Sequence, residues 1–240
     1  MSPQPSGARL FRALDATWTA AEFVQLAPWT LRRGLGGGKR VSAATPAAPA
    51  DSAAVARAER AMQAMDQHPI FMIRDGDSRV DELLDDLGYR VVDPVVIFVA
   101  PVSALLTINP EPLAAIPGTE PLALMQELWA QGGIGTGRLA VMNRTAGPKS
   151  YLFSRHRDSA AGAAFVAVDD EIAMVHALEI APEFRRAGVA RNVMGRAAIW
   201  AHENGARHLA AVTTRENQPA QRLFAGLGMN VAAKYHYRIR

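Results

Sequence analysis

Residues 182–192 read PEFRRAGVARN and hold the residue types that bind a phosphate. An apolar run, IAMVHALEI, precedes them, and a helix-like run, NVMGRAAIWAHENG, begins at their last residue. The first amides of a helix have no intrahelical partners and lie at the positive end of its dipole, so an anion docks there. Gly188 lets the backbone approach a ligand closely. Ala187 and Ala190 keep the rim small, and Arg185, Arg186 and Arg191 supply charge that persists at any physiological pH. Val193, Met194, Ala197, Ala198 and Ala201 give the following helix an apolar face. The same residues also fit a plain strand-to-helix turn with solvated arginines.

A second glycine cluster, GLGGGKRVS, fails as a nucleotide loop. The required glycine falls on Arg33, and the residue after the lysine is Arg40 rather than Ser or Thr. It reads as a turn between two strands. No metal site is expected: His156 stands alone between two arginines, and His202 and His208 lie six apart in different elements. The 240-residue chain has no cysteine, which excludes thiolate catalysis, cysteine-bound zinc and disulfides and fits a reducing, cytoplasmic location. No secretory pattern opens the chain. Its most apolar long stretch, 91–108, is interrupted by Asp93, Pro94 and Pro101, so neither export nor a membrane span is expected.

The formal charge of +3 conceals an asymmetry. Residues 1–120 carry 11 Lys/Arg and 14 Asp/Glu, and residues 121–240 carry 15 and 9. The basic half suits an anionic ligand. Its cations are scattered without interleaved aromatics, so nucleic acid is not an expected partner.

Periodicity gives the elements that must position these residues. Residues 8–24 read as a helix, and WTLRR and KRVSA as short strands. Residues 51–65 read as a helix capped by Asp51 or Ser52. PIFMIR is a strand, VDELLDDLG a helix and YRVVDPVVIFVA a broken strand. The proline-rich stretch 109–121 reads as a linker between a domain at 1–108 and one at 122–240. Beyond it, LALMQELWAQ is a helix, and RLAVMNR and SYLFSR are strands. AGAAFVAV and IAMVHALEI form a hairpin across Asp169 and Asp170. The chain closes with helix 191–204, strand HLAAVTT, helix 217–227 and strand MNVAAKYHYRI. Shifting the chain by 140 residues lays 73–91 on 213–231, and helix, strand, helix, strand repeats. The N-terminal part is therefore a candidate diverged copy of the C-terminal part. Its equivalent of 185–190 is TPAAPA, without glycine or arginine.

Arg185-x-x-Gly188-x-Ala190, between a strand and an amphipathic helix, resembles the acyl-CoA pyrophosphate loop of the GNAT superfamily of N-acetyltransferases. NQPAQRLFAGLGM (217–229) resembles that family's second block, Asn-x-x-Ala-x-x-Leu-Tyr followed by Gly-Phe. The resemblance covers roughly 137–240. It implies an α/β fold with a mixed, mostly antiparallel sheet flanked by helices, and an N-terminal α/β domain beside it.

The resemblance further implies acetyl-CoA as co-substrate and direct attack by a primary amine of a small molecule or peptide on the thioester. The backbone of Leu178, Glu179 and Ile180 would pair with pantetheine. Arg185, Arg186, Ala187, Gly188, Val189 and Ala190 would hold the pyrophosphate, with Asn217 and Phe224 from the second block beside the cofactor. Where the family carries a tyrosine proton donor, this chain has Phe224. Tyr235 and Tyr237 on the last strand are candidate replacements; both also read as packing aromatics. His176 resembles the strand histidine of the arylalkylamine branch and is a candidate base; it equally reads as a satisfied half-buried histidine. Glu179 is the second candidate base. It faces away from His176 on a regular strand and would approach it only across a bulge, which this strand has in the family. The missing tyrosine also leaves a non-catalytic acyl-CoA-binding module open. An aminoacyl transferase using an RNA-linked donor fits the phosphate loop less well. A homodimer is a further expectation.

Overall fold

The computed structural model describes residues 3–240. Helix α1 (Gly7–Thr17) opens it, capped by Ser6, whose Oγ accepts from the Arg9 amide. A small antiparallel sheet follows: β1 (Glu22–Leu26), β2 (Trp29–Arg33) and β3 (Thr45–Pro46). Helix α2 (Ser52–Ala64), strand β4 (Ile70–Arg74), helix α3 (Ser78–Asp86) and strand β5 (Arg90–Pro101) complete the N-terminal half. A short α4 (Val102–Leu105) leads to β6 (Ala115–Gly118), so residues 109–121 contribute an edge strand. Next come α5 (Ala123–Gln131), α6 (Thr136–Arg144), β7 (Lys149–His156), β8 (Ser159–Asp169) and β9 (Ile172–Ile180). The chain ends with α7 (Val189–Glu203), β10 (His208–Thr214), α8 (Gln218–Gly226) and β11 (Asn230–Ile239).

Eight strands form one sheet in the order β4-β11-β5-β10-β9-β8-β7-β6, antiparallel throughout except for β9 against β10. The expected α/β class with a mixed, mostly antiparallel sheet is the observed one. The two halves divide along the chain but not in space, because β5 lies between the consecutive strands β10 and β11. One face of the sheet packs α7 and α8 over Val96, Phe98, Val175 and Leu209. The other packs α1 over Val95, Val99, Met174 and Tyr235, and α5 and α6 over Phe165.

The 140-residue repeat reappears as a hydrogen-bond register. β10 pairs with β5 from His208↔Pro101 to Thr214↔Val95, and β11 pairs with β4 from Ile239↔Ile70 to Tyr235↔Arg74. Adding 140 to each β4 number and subtracting 140 from each β11 number converts the second ladder into the first. The central pair Tyr235↔Val95 maps onto itself, which puts a pseudo-dyad through it. The arrangement is consistent with a duplicated GNAT-like fold.

Three local readings change. RLAVMNR is helix α6, not a strand: the alternation of Leu139 and Val141 is brief, while Val141 and Met142 fill a helical inner face. Its end is secured by the Lys149 ammonium, which donates to the carbonyls of Met142, Asn143 and Thr145 at 3.2, 2.5 and 2.8 Å. KRVSA begins with a 3-10 turn (Lys39–Val41) rather than a strand, so GLGGG joins a strand to a turn. It docks on α6, where a Cβ on Gly137 would lie 2.3 Å from the Gly36 oxygen. The first helix stops at Thr17, and Glu22–Leu26 pairs with β2 instead.

Strand β9 carries a bulge: Ala163 faces Glu179 but Phe165 faces His176, and Ala177 has φ 50°. The bulged carbonyl of Ala177 accepts from the Trp129 indole on α5 at 2.8 Å. Trp129→Phe keeps an aromatic ring but removes the pyrrole ring with its N–H, which strips that carbonyl of its partner. It should lower stability by about 1–3 kcal/mol, read as a lower urea midpoint; an unchanged midpoint would show that the indole does not hold the bulge.

Candidate active site

Parallel pairing between β9 and β10 ends at Val175↔Ala211. Beyond it β10 stays with β5 and β9 stays with β8, so the two strands splay. A cleft follows the opening and runs through three connected chambers. The outer one, about 570 Å³, lies over the 185–191 loop; the middle one follows the splay; the inner one lies under α1 and the glycine loop.

The outer chamber joins Leu178, Glu179 and Ile180 to Arg185, Arg186, Gly188, Val189 and Ala190. Gly188 caps α7 with φ 80°, and Arg186 has φ 66°. Here glycine is required: the left-handed backbone disfavours a side chain, and the space a Cβ would enter is open. Among the described residues, the amides of Arg186, Gly188, Val189, Ala190 and Arg191 find no hydrogen-bond acceptor. Arg185 is folded back, donating to the Ile180 carbonyl at 3.1 Å and to Glu179 Oε1 at 3.2 Å. Arg186, Arg191 and Arg222 complete a cationic rim; Arg222, on α8, carries no sequence signal that ties it to the loop.

The middle chamber is lined by Val175, Leu178 and Glu179 from β9, Val212, Thr213 and Thr214 from β10, and Asn217, Ala220 and Phe224. Asn217 accepts the Ala220 amide through Oδ1 at 3.1 Å, capping α8. Phe224 is buried against Phe98 at 5.5 Å between centroids, lines the chamber and carries no proton donor. Glu179 lies on both outer and middle chambers, its Oε1 on Arg185 and its Oε2 without a partner among the described residues.

The inner chamber brings together Trp18, Gly38, Lys39, Arg40, Asp93, Arg138, Thr214, Tyr235 and Tyr237. Of these, only the two tyrosines were expected at a site. The others come from segments far apart in the chain and share no local motif. Both tyrosines are buried, edge to face at 5.6 Å. Burial and the neighbouring Tyr235 push the Tyr237 phenol well above its usual range. Arg40 Nε donates to the Tyr235 hydroxyl at 3.2 Å.

His176 does not line these chambers; it lies behind Arg40, 4% exposed, between Trp18 and Phe165. Its tautomer follows from its neighbours. Thr17 Oγ1 spends its proton on the Ala13 carbonyl at 2.6 Å, so at 2.9 Å it can only accept from Nε2–H. Nδ1 is then the bare nitrogen and accepts from Arg40 Nη1 at 3.3 Å. Burial, then the Arg40 charge, hold the imidazole well below its ordinary pKa, so it is neutral at pH 7. His176 and Glu179 flank the bulge, yet His176 serves Arg40 and Glu179 serves the cleft.

Among the described residues no group of His, Asp and Glu has the geometry of a metal site, and no helix is long and apolar enough to cross a membrane.

Comparisons with known proteins agree on the fold. No curated protein matches the chain. Its structure is similar to a functionally unknown conserved protein from Staphylococcus epidermidis, with TM-score 0.71 at 7% identity over 93% of this chain and 95% of that one. It is similar to a GCN5-related N-acetyltransferase from Kribbella flavida, with TM-score 0.69 at 18% identity over 98% and 96%. It is also similar to a tandem GNAT protein from the clavulanic acid biosynthesis pathway, with TM-score 0.59 at 14% identity over 78% and 68%. Residues 122–229 match the acetyltransferase (GNAT) family model. The family-model match and the shared fold place residues 122–229 in the GNAT superfamily.

Proposed function

We propose that the protein is an N-acetyltransferase that moves an acetyl group from acetyl-CoA to a primary amine. The observation that carries this reading is the continuity of the cleft. Unpaired amides at 186 and 188–191 open onto a splayed pair of strands, which leads to a polar inner chamber. The pyrophosphate docks on the amides from Arg186 to Arg191, with Arg186, Arg191 and Arg222 neutralising it. Pantetheine lies in the splay, where the backbone of Leu178, Glu179 and Ile180 replaces the ladder that β10 no longer provides. The thioester then faces the part of the cleft shared by the middle and inner chambers.

The amine enters from the inner chamber and loses a proton to Glu179, directly or through water. Its lone pair attacks the thioester carbonyl, the C–S bond breaks, and the thiolate takes a proton. Tyr235 supplies that proton: it lines the inner chamber, and its oxygen accepts from the Arg40 guanidinium, which orients the hydroxyl. Phe224 shapes the channel but has no proton to give. His176 is a positioning residue that holds Arg40 against Tyr235.

A second reading, an acyl-CoA-binding module without turnover, is favoured by Phe224 alone. Thiol release from acetyl-CoA across an amine panel separates the two. Turnover with any amine supports the enzyme; clear acetyl-CoA binding with no turnover supports the module.

Three variants carry the proposal further. Gly188→Ala should raise KM for acetyl-CoA roughly tenfold or more and change kcat little, and an unchanged KM would remove the loop from cofactor binding. Glu179→Gln should lower kcat by about 10²-fold or more, and unchanged turnover would rule it out as the base. Tyr235→Phe should lower kcat while leaving acetyl-CoA affinity intact; equal loss of both would indicate a packing role.

His176 makes a separate pH prediction. Its folded pKa is depressed below the unfolded value of about 6.5, so below that pH the unfolded state binds more protons. The stability His176 contributes is therefore present above pH 6.5 and drains away as pH falls, by up to about 1.4 kcal/mol per unit. Replacement by Gln should flatten that slope in urea unfolding between pH 5 and 7. An identical slope in the variant would contradict the buried neutral assignment.

A further inference from the structure

The inner chamber holds positive charge that the protein does not neutralise. Its charged lining residues are Lys39, Arg40, Asp93 and Arg138. Lys39 and Asp93 pair with each other at 2.7 Å. Arg40 bonds to neutral groups, Tyr235 Oη and His176 Nδ1, with the Tyr237 hydroxyl also beside it, and stacks near the Trp18 ring at 5.7 Å. Arg138 donates only to the Gly133 carbonyl, at 3.4 Å, and reaches over Gly38. Neither arginine meets a carboxylate among the described residues. The nearest other acid along the cleft, Glu179, is held by Arg185 in the adjoining chamber.

An arginine held among buried side chains with only neutral partners calls for an anion. Two of the five Arg40 N–H donors are spent, on Tyr235 and His176, which fixes the plane of the fork. Arg40 lines the cleft with donors left over from these bonds. A planar fork suits a planar carboxylate. The phosphates of acetyl-CoA do not answer this charge, because their cradle is at the opposite end of the cleft. The anion must then arrive with the acceptor.

We infer that the acceptor is an amine bearing a carboxylate, an amino acid or similar zwitterion, with Arg40 and Arg138 clamping the carboxylate while the amine points to the splay. This rests on the acetyltransferase reading, and the experiment separates the two. Thiol release from acetyl-CoA is measured with phenylalanine, its amide, phenethylamine and 2-aminoethyl phosphate, alongside direct calorimetric binding of each in the presence of CoA. The expected result is a preference for the amino acid over its amide and over phenethylamine of about tenfold or more in kcat/KM. Arg138→Gln should erase most of that preference by raising KM for the amino acid only, and it tests the clamp even where Arg40→Gln fails to fold.

Equal or better use of phenethylamine would overturn the inference and leave the acetyltransferase standing. Stronger use of the aminoethyl phosphate would overturn the carboxylate assignment. Binding of the amino acid that depends on Arg138, without any thiol release, would uphold the anion site and count against catalysis. No selective binding and no preference would overturn the inference outright.

Discussion

The site depends on one broken ladder. β9 and β10 begin as a parallel pair and part after Val175 and Ala211, because each keeps its other neighbour. Parting leaves backbone groups on β9 that the sheet no longer satisfies, and unpaired backbone groups are costly to bury. The fold meets that cost on one side with the Trp129 indole, which takes the Ala177 carbonyl. The rest of the opening is lined rather than closed, and it leads from the α7 N-terminus to the inner chamber. Without the bulge, residues 176–180 would alternate regularly, and His176 and Glu179 would point to opposite faces.

The inner end of that opening is built jointly with the other half of the chain. β5 occupies the place beside β10, and β11 is thereby pushed one position outward. The pseudo-dyad at Val95↔Tyr235 brings Tyr235 to the inner wall, and Val95 lines the same space. α1 and the glycine loop then roof it with Trp18, Lys39 and Arg40. Both halves thus line the inner chamber, whereas the outer chamber is lined by the C-terminal half alone.

This division explains what could be read from the sequence. The candidate phosphate loop is local: a glycine, three arginines and a helix start within eleven residues, seconded by the Asn217–Met229 block. The strands and helices around it follow from periodicity, and even the 140-residue echo survives as register. The inner chamber is not local. Its walls come from positions near 18, 40, 93, 138, 177, 214 and 236, and no spacing rule connects them. Arg40 looked like one cation after a glycine turn, because its meaning lies in His176 and Tyr235, which are 136 and 195 residues away. His176 showed the opposite failure. Its strand position marked it as a candidate base, but the direction of two hydrogen bonds, set by Thr17 and Arg40, decides what its nitrogens can do.

The two halves also show why a shared fold does not bring a shared ligand. α2 and α7 occupy corresponding places in the repeat, and both begin at an end of positive partial charge. α2 closes that end itself: the Asp51 carboxylate accepts from the Ala54 amide at 2.7 Å and places a negative charge where an anion would sit. α7 begins instead at Gly188, which has no side chain to accept from its own helix, and arginines stand at 185, 186 and 191. The difference between a carboxylate cap and an empty one decides which helix is stabilised alone and which keeps its donors for a ligand. In α2 the capping interaction contributes to the fold, by roughly 1 kcal/mol for a cap of this kind. In α7 that contribution is absent, because among the described residues its first amides meet no acceptor.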